Sequence, residues 1–464
     1  MTDRKNIHTL AALIGVVGIS VVFFWPFRNN FFIFDDFFII ESLLHGPVAV
    51  IRGFNNIFRL VSSCFQWILF WFSGHDPFGY SMFSLTLYAS NGVLFYFLCK
   101  ELLDNSRVAL LAALLFASSA VGCDAVIWKA AYATLLSATF YLLTLLAYVH
   151  FRKNGATAYY RASIVLFLLA LLSKEESASL PFIILAMEML CFRSKLEWSL
   201  IKRVIPYAVL IAVYILVNYV IIYHLIKGNS ELVKHSGFRP LHTLLAPWTA
   251  FFIAPDGHLA ASDIRNYLAA LLIPVALAVS NNRRHFLFAL AWLFLAFLPQ
   301  SLSTLSQFEP KYLFNSISRH LYFPSAGAAL ALALLLERVR ALLPTKAYVA
   351  VCAAFLTVYI GFNYSRVQQR GNTWAEEALP NKTFLTEIKK ILPELPPNTH
   401  VLVIDPPTGR HYMQLSLRAF YMNKDIAWIV DPEKFVAQPG MTVYLISCLW
   451  LSPSEVKLDV NRIN

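Results

Sequence analysis

Apolar runs long enough to cross a lipid bilayer recur along this chain of 464 residues. A span needs about 20 consecutive apolar residues, because the hydrocarbon layer is about 30 Å thick and a helix rises about 1.5 Å per residue. Apart from a closed barrel, only a helix satisfies its own backbone hydrogen bonds there. The runs predict about eleven helical spans, roughly at 9–27, 78–99, 107–121, 130–150, 161–173, 177–192, 203–224, 264–280, 285–303, 320–337 and 346–363. A further apolar run, 60–73, is short and predicts a re-entrant or interfacial helix. Charged residues make up only 14% of the chain, against about 25% in soluble proteins. The fold class is therefore an all-α polytopic membrane protein.

The net charge of +11 invites a nucleic-acid reading, which its distribution excludes. Basic residues concentrate in the short connections on one side, such as Arg193, Lys195, Lys202 and Arg203, and thin out in the longer connections on the other. This asymmetry puts the N-terminus in the cytoplasm. The first run, Leu10 to Phe27, follows the basic start MTDRK, and no small-residue cleavage site follows it, so it reads as a retained helix. The six cysteines are scattered, with neither a CxxC pair nor a disulfide-like spacing.

After Tyr364 the composition becomes that of a soluble domain. An odd number of spans places residues 365–464 outside, with 1–364 forming the membrane domain and 28–77 its first outer loop. Lys382 to Leu392 reads as a helix. HVLVIDPP (400–407), IAWIV (426–430) and TVYLIS (442–447) read as strands, giving a small α/β domain. No internal repeat is present.

In this topology the carboxylates inside or beside apolar runs share the outer side. Asp35 and Asp36 follow the first span, Asp124 lies in VGCDAVIW (121–128), and Glu175 and Glu176 lie in LLSKEESASLP (171–181). Arg59, Lys129, Lys174, Lys311 and Arg319 gather there too. Charges at membrane depth are rare and face a cavity or one another. A carboxylate takes a proton from a hydroxyl as it attacks carbon, and guanidinium or ammonium groups stabilise a departing phosphate. Together these groups suit transfer of a sugar from a lipid phosphate to a hydroxyl.

Four stretches also resemble the type C (GT-C) glycosyltransferases, in particular the protein O-mannosyltransferase and transmembrane-and-tetratricopeptide branch with its bacterial relatives. FDDFFII (34–40) resembles the acidic motif of the first outer loop. In FRLVSSCFQWILFWFSGHDPFGYSMFSLTLY (58–88), Arg59, Gly74, Pro77, Gly79 and Tyr80 match, Leu60 replaces a proline, and Ser81, Ser84 and Tyr88 stand where a His, an Asn and a His would be. In LLFASSAVGCDAVIW (114–128), Asp124 takes the second acidic position and Trp128 matches, while Ser119 and Ala120 replace a His-Pro pair. LLSKEESASLP and SRHLYFPSAG (318–327) match at Lys174, Glu175, Pro181, Arg319, Tyr322, Pro324, Ser325 and Gly327, and depart at Ser318 and His320.

The resemblance covers about residues 10–375. It implies inverting transfer from a polyprenyl-phosphate sugar to a hydroxyl on protein, lipid or glycan at the outer face of a bacterial inner or plasma membrane. Its implied catalytic residues are Asp35 as base, Asp36 as its coupled neighbour and Asp124. Arg59, Arg319 and Lys174 would hold the donor phosphate, with Glu175, Tyr322 and His320 supporting them. A divalent metal, Mg or Mn, is allowed between Asp35 and Asp124 but not required. The aromatics Phe31, Phe32, Phe34, Phe37 and Phe38 would form an interfacial helix beside the donor's lipid.

Plainer roles stand beside these. Asp124 suits a helix cap, Arg59 a snorkelling arginine, and Lys174, Glu175 and Glu176 a charge cluster that ties helices together. The competing functions are a transporter or flippase, which would show repeats and midplane charges, and a non-catalytic envelope scaffold.

Overall fold

The computed structural model describes residues 2–46, 58–220, 283–301, 318–429 and 435–463. Ten of the expected spans begin or lie there, and all ten are helical. The span at 264–280, the outer loop 225–262 and the loop around Lys311 lie outside the described residues. Within them, six helices are individually long and apolar enough to cross a membrane. A seventh candidate is bent by 47° between Ser106–Ala117 and Ala120–Ile127. The run 60–73 forms the short helix Leu60–Ser73, whose Trp71 and Phe72 are exposed.

Local signals set several helix ends. Asp76 accepts a hydrogen bond from the Phe78 backbone N–H and precedes Pro77, opening Pro77–Leu103. Asn105 does the same for Ser106–Ala117. Gly155, at φ +71°, closes Tyr132–Asn154. The bend after Ala117 is held by Ser119, whose hydroxyl accepts from Val121 N–H, and by Asn363, which accepts from Ala120 N–H at 2.9 Å. This bend carries Asp124 into the bundle, where it is 1% exposed. The bundle core is rich in buried aromatics, including Tyr88, Tyr96, Tyr141, Tyr148 and Trp292.

The last span does not stop at Tyr364. It belongs to one helix of 47 residues, Thr345–Ile391, so the boundary expected at 364/365 falls inside a helix. Beyond it lie β1 (Thr399–Ile404), a helix Arg410–Tyr421, β2 (Ala427–Trp428), β3 (Thr442–Ser452) and β4 (Glu455–Arg462). The sheet order is β2-β1-β3-β4, parallel except for β4. The helix Arg410–Tyr421 and β4 are additions to the sequence reading.

The aromatics around the paired aspartates do not form the lipid-facing helix expected of them. Phe32, Phe37 and Ile40 are buried in one core with Phe384, Leu385, Ile388, Val401 and Met413 of the tail. The helix Asp35–Ser42 packs along the tail helix Arg410–Tyr421, and Arg418 pairs with Glu41 at 3.3 Å. The physical reason is coverage: the tail supplies the apolar partner that lipid was expected to supply.

Candidate active site

The two adjacent aspartates have different surroundings. Phe34, immediately before them, has φ +46° and ψ −115°, a backbone rarely adopted by bulky residues. The helix then starts at Asp35. Asp36 is 2% exposed. Its Oδ2 accepts from Ile33 N–H at 3.0 Å and its Oδ1 from Ala130 N–H at 2.6 Å, with Lys129 beside it. Asp36 thus ties the acidic turn to the start of Tyr132–Asn154. The hydroxyl of Tyr412, on the tail helix, faces Asp35 and favours its ionised form. Burial pushes its carboxyl above the usual range, while Arg319, Tyr412 and His411 pull it back.

Asp124 is clamped by the long helix. Arg370 Nε donates to Oδ1 at 2.9 Å and Nη2 to Oδ2 at 3.4 Å, and Trp374 Nε1 donates to Oδ1 at 2.8 Å. Trp374 stacks on Trp128 with centroids 5.4 Å apart and planes at 26°. On the same Trp128 ring lies the Arg319 guanidinium, 4.4 Å from the centroid. Arg319 Nη1 is buried with no hydrogen-bond partner among the described residues, and the nearby carboxylates are Glu176, Asp124 and Asp35.

The other cations are engaged internally. Arg59 binds Glu175 at two points, Nη2 to Oε1 at 2.6 Å and Nε to Oε2 at 2.8 Å. Lys174 bonds Glu176 at 2.9 Å and Thr134 at 2.6 Å, and His320 Nδ1 meets the same Glu176 oxygen. Tyr322 packs among Tyr88 and Phe116. Arg59 and Lys174 thus meet carboxylates of the protein itself, as the helix-tying reading of this cluster expects. They tie the turn at 174–179 to Leu60–Ser73 and to Tyr132–Asn154. For Arg319, Nη1 has no hydrogen-bond partner among the described residues.

A divalent metal at Asp35 and Asp124 does not fit this donor set. Three N–H donors already reach the Asp124 oxygens, and the described residues contain no cluster of three ligating side chains. Tyr412, His411, Arg370 and Trp374 escaped the sequence reading because they follow the matched motifs or lie in the tail. Their only signal was an Arg and a Trp one turn apart in RGNTW (370–374).

No family model and no curated protein matches the chain. Solved structures do share its fold. ArnT from Cupriavidus metallidurans in the apo state superposes with TM-score 0.55 at 14% identity, over 94% of this chain and 92% of that one. The same protein bound to undecaprenyl phosphate gives 0.51 at 14%, with the same coverage. The archaeal oligosaccharyltransferase AglB from Archaeoglobus fulgidus, in complex with an inhibitory peptide and a dolichol-phosphate, gives 0.50 at 14%, over 90% of this chain and 64% of that one. The chain shares the polytopic membrane architecture of these proteins, with a small sheet domain at its C-terminal end.

Proposed function

We propose that the chain is a membrane glycosyltransferase that moves a sugar from a polyprenyl phosphate to a hydroxyl, with inversion. The observation that carries the reading is that Asp35 lies within electrostatic reach of Arg319, whose guanidinium lies over Trp128 and whose Nη1 is unpartnered among the described residues. In this scheme the acceptor hydroxyl attacks the anomeric carbon and a new C–O bond forms. The bond between that carbon and the phosphate oxygen breaks, and its electron pair leaves with the phosphate. Asp35 takes the hydroxyl proton as the bond forms, and Arg319 stabilises the charge that grows on the leaving phosphate. Polyprenyl phosphate and the glycosylated acceptor are the products. Lipid phosphates bound to ArnT and AglB support a lipid-phosphate donor on this fold.

Asp36 holds the turn that aims Asp35, and the Arg59–Glu175 and Lys174–Glu176–His320 networks hold the turns beneath it. No step in this scheme needs a metal. The charge asymmetry of the loops supports a cytoplasmic N-terminus and a reaction at the outer face. The acceptor, on a protein, a lipid or a glycan, would approach Asp35 from the side of the tail helix.

The test is transfer by purified protein in nanodiscs, given a panel of radiolabelled polyprenyl-phosphate sugars and a membrane extract. Label should pass to an acceptor with wild type, and Asp35→Asn should lower the rate at least about a hundredfold, the range of a lost general base. Equal labelling by both proteins would remove Asp35 as the base. Absence of transfer with every donor, from folded protein, would favour a transporter or a scaffold.

A further inference from the structure

We infer that Arg370 is the built-in cation of the second acidic position, standing where a divalent metal would sit at Asp124, and that with Trp374 it fixes the indole stack that presents Arg319 to an anion. The inference deepens the reading above and rests on it for the identity of the anion.

Three observations converge. First, both oxygens of Asp124 receive N–H donors from Arg370. A hard metal would need those oxygens at about 2.0–2.6 Å, and the guanidinium nitrogens already crowd that space. Arginine stays protonated in proteins, so this cation is permanent. Second, successive contacts link the groups, in this sense a column. The Arg370 guanidinium lies 5.0 Å from the Trp374 ring, Trp374 stacks on Trp128, and Arg319 lies 4.4 Å from the Trp128 ring. Third, Trp374 is both the third donor to Asp124 and the neighbour of Trp128. Asp124 therefore sets the plane of one indole, that indole sets the next, and the second sets Arg319. Arg319 Nη1, buried without a partner among the described residues, is the end of the column that a phosphate oxygen would meet. Arg370 and Trp374 are positioning residues, because they reach the anion only through others.

The experiment uses the full chain in nanodiscs with two readouts that need no turnover: electron paramagnetic resonance of added Mn²⁺, and binding of undecaprenyl phosphate followed by tryptophan fluorescence. Wild type should immobilise no Mn²⁺ and should bind the lipid phosphate equally with and without chelator. Arg370→Ala should weaken lipid-phosphate binding about tenfold, the scale of one charge-assisted hydrogen bond between Arg319 and the phosphate, and change the indole emission. Added guanidinium should restore part of that binding, and added urea should not. Arg370→Lys should fall between, since an ammonium cannot grip both carboxylate oxygens as a planar fork does. Trp374→Phe should retain more binding than Trp374→Ala, because the ring remains; these two variants carry the test if Arg370→Ala does not fold. Mn²⁺ bound to wild type and released in Asp124→Asn would overturn the inference, as would wild-type lipid binding by Arg370→Ala. Binding that depends on Arg370, in a protein that transfers no sugar, would uphold the column and refute the transferase reading.

Discussion

At the scale of the residue, Phe34 explains how two neighbouring aspartates acquire different surroundings. Its positive φ turns the chain so that Asp36 reaches backward to Ile33 and across to Ala130, while Asp35 meets Tyr412. Strained backbone of this kind persists where the surroundings over-determine it, and here the Phe34 ring packs on Tyr412, 5.4 Å between centroids. A pH profile should report the Tyr412 hydroxyl. Burial raises the Asp35 pKa, and a base acts only when ionised, so the acid limb of the transfer rate should lie above that of an exposed aspartate. The Tyr412 hydroxyl favours the ionised form and lowers that pKa. Tyr412→Phe should therefore move the acid limb upward by about one pH unit, equivalent to about 1.4 kcal/mol for the missing hydroxyl. An unmoved limb would remove Tyr412 from the base. The sequence showed both aspartates in place but not their different surroundings, since neither carboxylate's side-chain neighbours, Tyr412 and Lys129, lie near it in the motif. Likewise the match at Arg59 and Lys174 said nothing of Glu175 and Glu176 as their partners.

At the scale of the element, the spans were legible because length and apolarity are what a bilayer demands, and all ten that begin or lie on described residues are helices. The continuity of Thr345–Ile391 was not legible. The stretch NYSRVQQRGNTW (363–374) turns polar as the helix leaves the apolar environment, and a change of solvent looks like a change of domain. Gly371 marks where this helix meets the first span. A Cβ there would lie 2.2 Å from the Phe27 ring, and Asn30 donates to the Gly371 carbonyl at 3.2 Å. Gly371→Ala should lower stability by about 1–3 kcal/mol through overpacking. Because Arg370 is adjacent, it should also loosen the hold on Asp124. Thermal unfolding in detergent measures the first effect and lipid-phosphate binding the second. Phe27→Ala costs stability of its own, because the ring is buried, but the double variant should lose less than the sum of the two single losses, and a purely additive double variant would show that Phe27 is not the obstacle.

At the scale of the whole molecule, the tail and the acidic loop share one core. Sequence periodicity separates apolar from polar faces but does not say whether lipid or protein covers the apolar one, so the Phe-rich loop read as lipid-facing. The structure buries Phe32, Phe37, Ile40 and Tyr80 against the tail instead. His75 also reaches the tail, at 2.8 Å from the Ala419 carbonyl. A protein truncated after residue 391 should therefore lose more than an acceptor module. It should expose those side chains, elute as aggregates on size exclusion and unfold at a lower temperature. A truncated protein as monodisperse and as stable as the full chain would show that the shared core contributes little.

The 47-residue helix also makes the site sensitive to phase. At about 1.5 Å and 100° per residue, the 25 steps from Thr345 to Arg370 act as a ruler that sets the height of the guanidinium at about 37 Å from the helix start. One extra residue anywhere along that stretch lifts Arg370 by less than the width of an atom, yet swings it by more than a quarter of a circle, away from Asp124. Substitutions in the lipid-facing part of this ruler preserve its count and leave the site in tune. A single insertion or deletion does not, however conservative its chemistry, so this part of the chain is free to vary in letters and fixed in number.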